Sequence, residues 1–195
     1  MSKAAATRET ILKKAFDLVY RQSYQATSID DIISQLQVTK GAFFYHFRNK
    51  DMMGLAMIRE VMAPNMEPYM IHVLGSTPDA LEDIYQMVKG LLLLNPTLDS
   101  RYGCPAVNLI EEMAPVNEEF RKALMQLMLK WQDALEKHLR EAQIIGQVGK
   151  EHDAKQIAMY ITAGYSGIRN IGKIFGNQAY VNYLQQFKIY LESLR

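Results

Sequence analysis

The sequence has very little cysteine, since Cys104 is the only one among 195 residues. One cysteine excludes an internal disulfide framework and a zinc site built from several cysteines. The longest purely aliphatic run spans residues 91–94, whereas roughly 20 apolar residues are needed to cross a bilayer. The amino-terminal stretch MSKAAATRETILKKAF is polar and charged, without the apolar core of a secretory signal. We therefore expect a cytoplasmic protein.

Motifs of known catalytic sites are also missing. The sequence contains no P-loop, no GxGxxG after a strand and no GxSxG. The four histidines are scattered, without the spacing of metal ligands: His46, His72, His138 and His152. A hydrolase based on Cys104 would need a histidine at hydrogen-bond distance, which a sequence alone does not reveal. An enzyme is therefore not favoured, and neither a cofactor nor a metal is expected.

The sequence does contain an asymmetric distribution of charge. The net charge is only +1, but residues 1–50 hold eight Lys and Arg against four acids, so the remaining residues have an excess of acids. A basic segment on a mildly acidic body is typical of proteins that bind a polyanion. Ordinary solvated surfaces show the same excess, so charge alone leaves both interpretations open.

The hydrophobic pattern has helical spacing almost throughout, and no stretch alternates as a strand would. It predicts a first helix over about residues 5–21 and a short second helix opened by Thr27 and Ser28. Asp31, three residues after Ser28, completes a variant of the capping box. A third short helix is predicted over residues 40–46.

A longer fourth helix is predicted to begin at Asn49 or Lys50, to extend beyond Met62, and to be interrupted by two prolines. Those prolines are Pro64 and Pro68.

Caps, prolines and glycines delimit the remaining helices. Thr77-Pro78-Asp79 is typical of a cap followed by proline in the first helical position, and Gly146 and Gly149 are expected to end a long helix. These helices are predicted over about residues 80–94, 104–113, 117–145, 153–175 and 179–194. The sequence therefore predicts an all-α protein of about nine helices, with a domain of residues 1–50 followed by one of residues 51–195.

The segment SIDDIISQLQVTKGAFFYHFRNK, residues 28–50, has the layout of a helix-turn-helix. In this motif the second helix enters the major groove of DNA, and its first residues face the base edges. Lys40 can donate to guanine or phosphate, Gly41 lets the backbone approach closely, and Ala42 can contact a thymine methyl group.

Other residues around this helix are expected to contact phosphates or to support the helix. Phe43 and Phe47 are expected to pack inward, while Phe44 suits either the core or the DNA-facing side. His46 could also pack or cap instead of contacting DNA. The expected phosphate donors are Tyr45, His46 and the helix starts at Thr27, Ser28 and Thr39.

The stretch TSIDDIISQLQVTKGAFFYHFRNKDMM resembles the DNA-binding signature of the tetracycline-repressor (TetR) family. A Thr-Ser cap, an Ile-rich helix, Val-Thr-Lys-Gly, an aromatic pair and His-Phe-x-Asn-Lys follow in the family's order without a gap, and the match covers about residues 8–55. The resemblance implies DNA contacts from Thr27, Thr39, Lys40, Gly41, Ala42, Tyr45, His46 and Lys50.

Three positions depart from the family pattern. Gln37 and Ser23 stand where glycines are common, and Phe44 replaces a frequent tyrosine, which removes a hydroxyl that could bind phosphate. These departures affect the expected operator and affinity rather than the motif.

The resemblance also implies a fold. An N-terminal three-helix DNA-binding domain with a helix-turn-helix precedes a larger helical domain, which binds a ligand and dimerises through two late helices from each subunit. The stretch YITAGYSGIRNIGKIF is rich in small residues that allow helices to approach closely. Packing within one chain would use the same residues, so both interpretations stay open.

Apolar and aromatic residues on the predicted helices around one interior are candidates for an effector pocket, and the twelve methionines suit an adaptable one. The same residues would serve equally well as an ordinary core. The candidates are Met62, Met66, Tyr69, Met87, Leu91, Cys104, Asn108, Trp131, Tyr160 and Tyr165.

Cys104 lies in SRYGCPAVNLIEEMAP at the start of a predicted helix, where the helix N-terminus and the nearby Arg101 favour a thiolate. The Gly-Cys-x-x-x-Asn pattern is similar to a branch of the TetR family that includes electrophile-responsive repressors, although Pro105 departs from the usual aliphatic residue. The alternative is that Cys104 is a small buried apolar side chain.

Together these features predict a ligand-responsive one-component transcriptional regulator of the repressor type. A homodimer would bind a palindromic double-stranded DNA operator and be released by a small apolar or electrophilic effector, or by modification of Cys104. The alternative is a helical ligand-binding or scaffolding protein without specific DNA binding, and an enzyme is favoured less still.

Overall fold

The computed structural model describes residues 2–195, and all regular secondary structure in that range is helical. In chain order the α-helices are α1 (Lys3–Gln22), α2 (Ile29–Ser34), α3 (Lys40–His46), α4 (Lys50–Met57), α5 (Ala63–Met70), α6 (Ala80–Lys89), α7 (Pro105–Met113), α8 (Glu118–Ile144), α9 (Ala154–Phe175) and α10 (Asn177–Glu192). A π-helical turn (Ile58–Met62) joins α4 to α5, a second (Gly90–Leu94) extends α6, and a 3₁₀ turn (Ser100–Tyr102) precedes α7.

Because α4 and α5 are continuous, the described residues contain nine continuous α-helices, which confirms the all-α prediction. No helix within residues 2–195 is long and apolar enough to cross a membrane.

The chain folds into two units. The first comprises the residues up to 65 together with residues 105–126, and the second comprises residues 66–104 and 127–195. The chain therefore returns to the first unit at Pro105, where α7 begins. The functional boundary expected near residue 50 stays a prediction, because these units follow packing rather than function.

The first three helices bury the apolar stripes that the sequence indicates. Ile11 and Ala15 of α1, Ile32 of α2 and Phe43 of α3 are all completely buried. These side chains hold the three short elements together as one body, with the polar residues of each helix outside.

The turn after α1 contains a backbone conformation that favours glycine. Ser23 has φ 84° and ψ 160°, and it is the one non-glycine residue of the described range with positive φ. A side chain in this region costs about 1–3 kcal/mol. Local bonds fix the turn, because the Ser23 N–H donates to the Val19 carbonyl at 3.0 Å and the Ser23 carbonyl accepts from the Thr27 hydroxyl at 2.7 Å.

The prediction that Pro64 and Pro68 interrupt the fourth helix is wrong. In the π-helical turn before Pro64, the Ala63 N–H donates to the carbonyl of Ile58. This wider turn relieves the clash that a proline ring makes with the turn before it. The chain therefore remains helical through Pro68 to Met70.

The start of α6 also differs from the prediction. Asp79 is the N-cap, and its carboxylate accepts from the N–H groups of Leu81 and Glu82 at 2.9 and 3.3 Å. Pro78 therefore precedes the cap instead of opening the helix. The predicted end of the long helix is confirmed, since Gly146 follows α8 with φ 77°.

Helices α9 and α10 pack closely because glycines of α9 leave room for tyrosines of α10. A Cβ at Gly172 would collide with the ring of Tyr180, and a Cβ at Gly164 would collide with the hydroxyl of Tyr183. These two glycines therefore serve packing within the chain. Gly167 differs from them, since a Cβ there would meet open space.

Replacing Ser23 by glycine should stabilise the protein by about 1 kcal/mol, because glycine adopts the observed backbone angles without a steric penalty. Urea unfolding followed by circular dichroism measures the change. The matched control is Ser34→Gly at the end of α2, which should lower stability because glycine weakens a helix by up to about 1 kcal/mol. Equal losses in both variants would contradict the strain at Ser23.

Candidate nucleic-acid interface

The second and third helices begin with well-formed caps. The Ser28 hydroxyl oxygen accepts from the Asp31 N–H at 3.0 Å, and the Asp31 carboxylate accepts from the Ser28 N–H at 2.7 Å. Hydrogen bonds from Ser28 lower the pKa of Asp31. At the next helix, the Thr39 hydroxyl oxygen accepts from the Ala42 N–H at 3.2 Å. These caps fix where α2 and α3 begin, as the capping-box pattern predicts.

The inner face of α3 is anchored by buried aromatic side chains. Phe43 and Phe47 are buried, with ring centroids 5.5 Å apart, which confirms their predicted inward packing. The guanidinium carbon of Arg8 lies 4.9 Å from the centroid of the Phe47 ring. These buried rings hold the helix in place, so its opposite face keeps a fixed orientation.

The opposite face of α3 is open to solvent. Tyr45 is 77% exposed and Phe44 is 47% exposed. Gly41 lies on the same helix, and a Cβ added there would meet no atom nearer than 3.9 Å. Phe44 therefore lies on the outer side, the second of its two predicted positions. Exposed aromatic side chains of this size on one short helix favour contact with a partner.

Ala42 and His46 are half-buried at the edges of this face. The imidazole ring of His46 lies edge-on to the Tyr45 ring, with centroids 4.9 Å apart. His46 therefore packs against Tyr45 while it remains partly accessible, and its contact with DNA stays a prediction.

Two lysines flank the helix. The ammonium of Lys40 is exposed and forms an ion pair with the Asp30 carboxylate at 3.0 Å. The ammonium of Lys50 lies 4.4 Å from the centroid of the Tyr24 ring and donates to the carbonyl of Gln25 at 3.4 Å. Burial lowers the pKa of Lys50. Of the two, Lys40 has the freer side chain for a new partner.

Thr27 is wrongly placed among the predicted DNA contacts. Its side chain is completely buried, and its hydroxyl donates to the Ser23 carbonyl while accepting from the Gln22 amide. Its backbone N–H already donates to the Tyr24 carbonyl at 3.2 Å. Thr27 therefore closes the turn between α1 and α2, whereas Ser28 beside it is exposed to solvent.

A carboxylate that was not predicted from the sequence holds this turn from a helix far along the chain. Glu112 of α7 accepts from the backbone N–H groups of Tyr24 at 2.8 Å and Gln25 at 2.6 Å. The Tyr24 hydroxyl donates to Asp51 at 2.7 Å, and Asp51 also accepts from the Asn117 amide at 3.2 Å. Burial, followed by this hydrogen bond, raises the pKa of Tyr24. The only sequence signal was an acidic residue on α7, which does not indicate its partner.

Several predicted effector residues lie together inside the second unit. Trp131 is buried and donates its indole N–H to the Met87 sulfur at 3.3 Å, and its ring meets Tyr165 edge-on with centroids 5.2 Å apart. Met66, Leu91 and Cys104 are also buried in this unit, and Tyr69 is half-buried.

Three of the candidates do not share that interior. Tyr160 is 57% exposed and packs against Tyr190, with ring centroids 4.7 Å apart, so it lies outside the buried interior. Its position on α9 turns it away from the buried residues Ile161 and Tyr165. Met62 and Asn108 belong to the first unit, so the candidates do not surround a single interior within one unit.

Two family models match this chain. The model described as "Bacterial regulatory proteins, tetR family" matches residues 11–57, and the model described as "Tetracyclin repressor-like, C-terminal domain" matches residues 80–187. The first match covers the helix-turn-helix, and the second covers more than half of the chain.

Similar proteins are described as transcriptional regulators. An uncharacterized HTH-type transcriptional regulator in the lacX 3' region of Lactococcus lactis subsp. lactis is 30% identical over 133 residues, covering 68% of each chain. The transcriptional regulator AcuR of Cereibacter sphaeroides is 26% identical over 171 residues, covering 84% of this chain and 75% of that protein. The structure of a TetR-family regulator from Cytophaga hutchinsonii has a TM-score of 0.89 at 19% identity, covering 100% of this chain and 98% of that chain, so the two share a fold.

The fold and the exposed α3 define a helix-turn-helix transcriptional regulator. Within that class the chain belongs to the TetR family, which confirms the resemblance seen in the sequence.

Replacing Glu112 by alanine should loosen the turn between α1 and α2, because two backbone N–H groups lose a charged acceptor. Each such bond contributes about 1.5–3 kcal/mol, so hydrogen exchange at the amides of Tyr24 and Gln25 should accelerate about ten-fold or more. Exchange measured by NMR tests this expectation. Glu119→Ala, which removes an exposed carboxylate of α8, is the control, and unchanged exchange in Glu112→Ala would contradict the role of Glu112.

Proposed function

We propose that this chain is a one-component repressor that binds a palindromic DNA operator as a homodimer and releases it when an effector binds the second unit. The observation that carries the proposal is α3 itself, a capped helix whose inner face is fixed by buried aromatics and whose outer face is open. A helix held in this way can enter the major groove without first being ordered, so little conformational entropy is lost on binding.

The DNA contacts are proposed from the exposed and half-buried residues of α2, α3 and the start of α4. Lys40 can exchange its ion pair with Asp30 for a phosphate or a guanine, because both partners are exposed and an exposed pair is weak. Lys50 is more buried, and its ammonium is held near the backbone of Gln25. We include it as a DNA contact because of this position. The proposed set is Ser28, Thr39, Lys40, Gly41, Ala42, Phe44, Tyr45, His46 and Lys50.

A homodimer is supported by an exposed apolar set on the last two helices. Ile174 is 75% exposed and Ile189 is 63% exposed, and Gly167 on the same unit has open space in front of it. Monomeric proteins rarely expose large apolar patches, so exposed apolar side chains on two packed helices favour a partner. The exposed apolar residues of α9 and α10 are Met159, Tyr160, Ile171, Ile174, Phe175, Val181 and Ile189.

The effector is proposed to act in the second unit, through the candidates Met66, Tyr69, Met87, Leu91, Cys104, Trp131 and Tyr165. The chain leaves this unit at Cys104 and enters α7 at Pro105, and α7 carries Glu112. A displacement of residue 104 therefore reaches the turn before α2 along the backbone. Cys104 is 1% exposed, which favours a bound effector over direct modification of the thiol.

Other functions have less support. The relatives are described as transcriptional regulators, so we propose no catalytic activity, and a regulator of this kind acts in the cytoplasm on chromosomal DNA. A ligand-binding or scaffolding protein without specific DNA binding would leave the exposed face of α3 without a purpose.

Selection from random duplex DNA tests the proposal. The purified full chain is incubated with the DNA at moderate salt, and the retained sequences are determined. Enrichment of one sequence with two-fold symmetry is the expected result. The folded protein enriching no sequence at any salt concentration would overturn the proposal.

Lys40→Ala should weaken binding to the selected operator about ten-fold and reduce the slope of log affinity against log salt by about 1, because a phosphate or guanine contact is lost. Asp30→Asn should act in the opposite direction, since it frees Lys40 and removes a negative charge near DNA. Fluorescence anisotropy over a KCl series measures both. Lys137→Ala, an exposed lysine of α8, is the control, and an equal loss there would contradict a specific role for Lys40.

Ile174→Glu should convert the dimer to a monomer, because a carboxylate placed in an apolar interface loses its hydration without gaining a partner. Sedimentation velocity measures the oligomeric state. Val116→Glu, at a position that is 70% exposed in the first unit, is the control and should leave the dimer intact. A dimer that persists in Ile174→Glu at micromolar concentration would place the interface elsewhere.

A further inference from the structure

Arg169 of α9 is a completely buried arginine without an acidic partner. One guanidinium nitrogen, Nη2, donates to the Gly103 carbonyl and lies 3.5 Å from the Asp99 carbonyl. The other two nitrogens, Nε and Nη1, are buried without an acceptor. Within residues 2–195 no carboxylate lies at ion-pair distance from this guanidinium. Buried arginines are almost always paired, because an isolated charge loses its hydration.

Two buried tyrosine hydroxyls accompany this charge. Tyr165 precedes Arg169 by four residues and therefore lies on the same face of α9, while Tyr180 comes from α10, with its ring centroid 5.3 Å from the guanidinium carbon. Both hydroxyls are buried without a hydrogen bond of normal geometry, and the Cys104 thiol lies beside the Tyr165 hydroxyl. The absence of a side chain at Gly172 is what lets the Tyr180 ring lie here.

The charge of Arg169 is close enough to both hydroxyls to affect their ionisation. Burial raises the pKa of Tyr165 and of Tyr180, and the charge of Arg169 opposes this rise in both. The neighbouring Cys104 raises both values further. The hydroxyls therefore stay protonated and can donate hydrogen bonds, as can the free nitrogens of Arg169.

We infer that Arg169, Tyr165 and Tyr180 form a binding site for a small organic carboxylate, which enters as the effector of the repressor. The effector role rests on the proposed function. The binding of a carboxylate does not, since the hydrogen-bond donors alone define the site. A carboxylate has one negative charge and four lone pairs, which match a guanidinium and two hydroxyls.

The site lies next to the segment of the chain that leads into α7, the helix that carries Glu112. Arg169 holds the carbonyl of Gly103, and Cys104 and Pro105 follow directly before α7. A carboxylate that draws the guanidinium toward itself competes with this carbonyl. Loss of that bond removes one of the contacts that hold the segment from which α7 starts.

Thermal unfolding of the full chain tests carboxylate binding. Sodium acetate, propionate and benzoate are compared with acetamide, propionamide and benzamide, with KCl keeping the ionic strength constant. At least one carboxylate should raise Tm saturably, by about 3 °C or more, because a ligand that binds only the folded state stabilises it. Its amide should not. If no carboxylate raises Tm above the value in KCl, the inference is overturned.

Arg169→Met should fold, since it removes an unpaired buried charge, and should bind the active carboxylate about ten-fold more weakly or worse. Arg140→Met, which removes an exposed arginine of α8, is the matched control and should keep the response. Tyr180→Phe keeps the ring but loses the hydroxyl, so binding should weaken about three- to ten-fold even if Arg169→Met fails to fold. Unchanged binding in Tyr180→Phe and Arg169→Met would overturn the site.

Operator binding separates this inference from the proposed function. Fluorescence anisotropy without carboxylate reports DNA binding alone, so its failure would sink the repressor while leaving the carboxylate site measurable by Tm. If operator DNA binds and the carboxylate releases it from the native chain but not from Arg169→Met, the effector role is supported. A carboxylate that binds without changing operator affinity would overturn that role.

A thiolate at Cys104 is the competing counterion. In that case iodoacetamide would alkylate the native chain faster than Arg169→Met, and no carboxylate would raise Tm. This combination would overturn the inference, because the charge of Arg169 would already be compensated.

Discussion

The carboxylate of Glu112 is the constraint on which the arrangement of α1 and α2 depends. It accepts hydrogen bonds from the backbone of Tyr24 and Gln25, in the turn that sets the direction in which α2 leaves α1. The same turn contains Ser23 at a positive φ and the buried hydroxyl of Thr27. A turn that holds an unfavourable backbone conformation needs such external support. The direction of α2 is therefore set partly by α7, which lies far from it in the sequence.

Two buried charged side chains of the second unit differ in whether hydrogen bonds replace their lost hydration. Asp83 is 1% exposed, but it accepts from the N–H groups of Gly75 and Thr77 at 2.8 and 2.9 Å. Its Oδ2 also lies 3.3 Å from the Nε2 of His138, which forms no hydrogen bond. This charge is satisfied and stabilises a loop. Arg169 is equally buried, yet two of its nitrogens lack an acceptor, a condition that is rare for buried polar groups.

The candidate interface could be predicted from sequence wherever its geometry is local. The reciprocal bonds of Ser28 and Asp31 join residues three positions apart, and Phe43 and Phe47 share a face because they are four apart on a helix. Thr27 was misplaced because the same side chain that caps a helix can also bond back to the preceding turn. Its burial depends on packing, which spacing does not show.

The sequence by itself determined the helices, their caps and the helix-turn-helix layout of α2 and α3. These features depend on contacts within about four residues. Only the tertiary structure decided which side chains lie outside and which carboxylate holds which backbone. Tyr160 is exposed although it has the same residue type and a similar setting as the buried Tyr165. Pairs such as Glu112 with Tyr24 and Arg169 with Gly103 bring together residues more than sixty positions apart. No periodic pattern encodes such pairs, since they form only when whole helices pack.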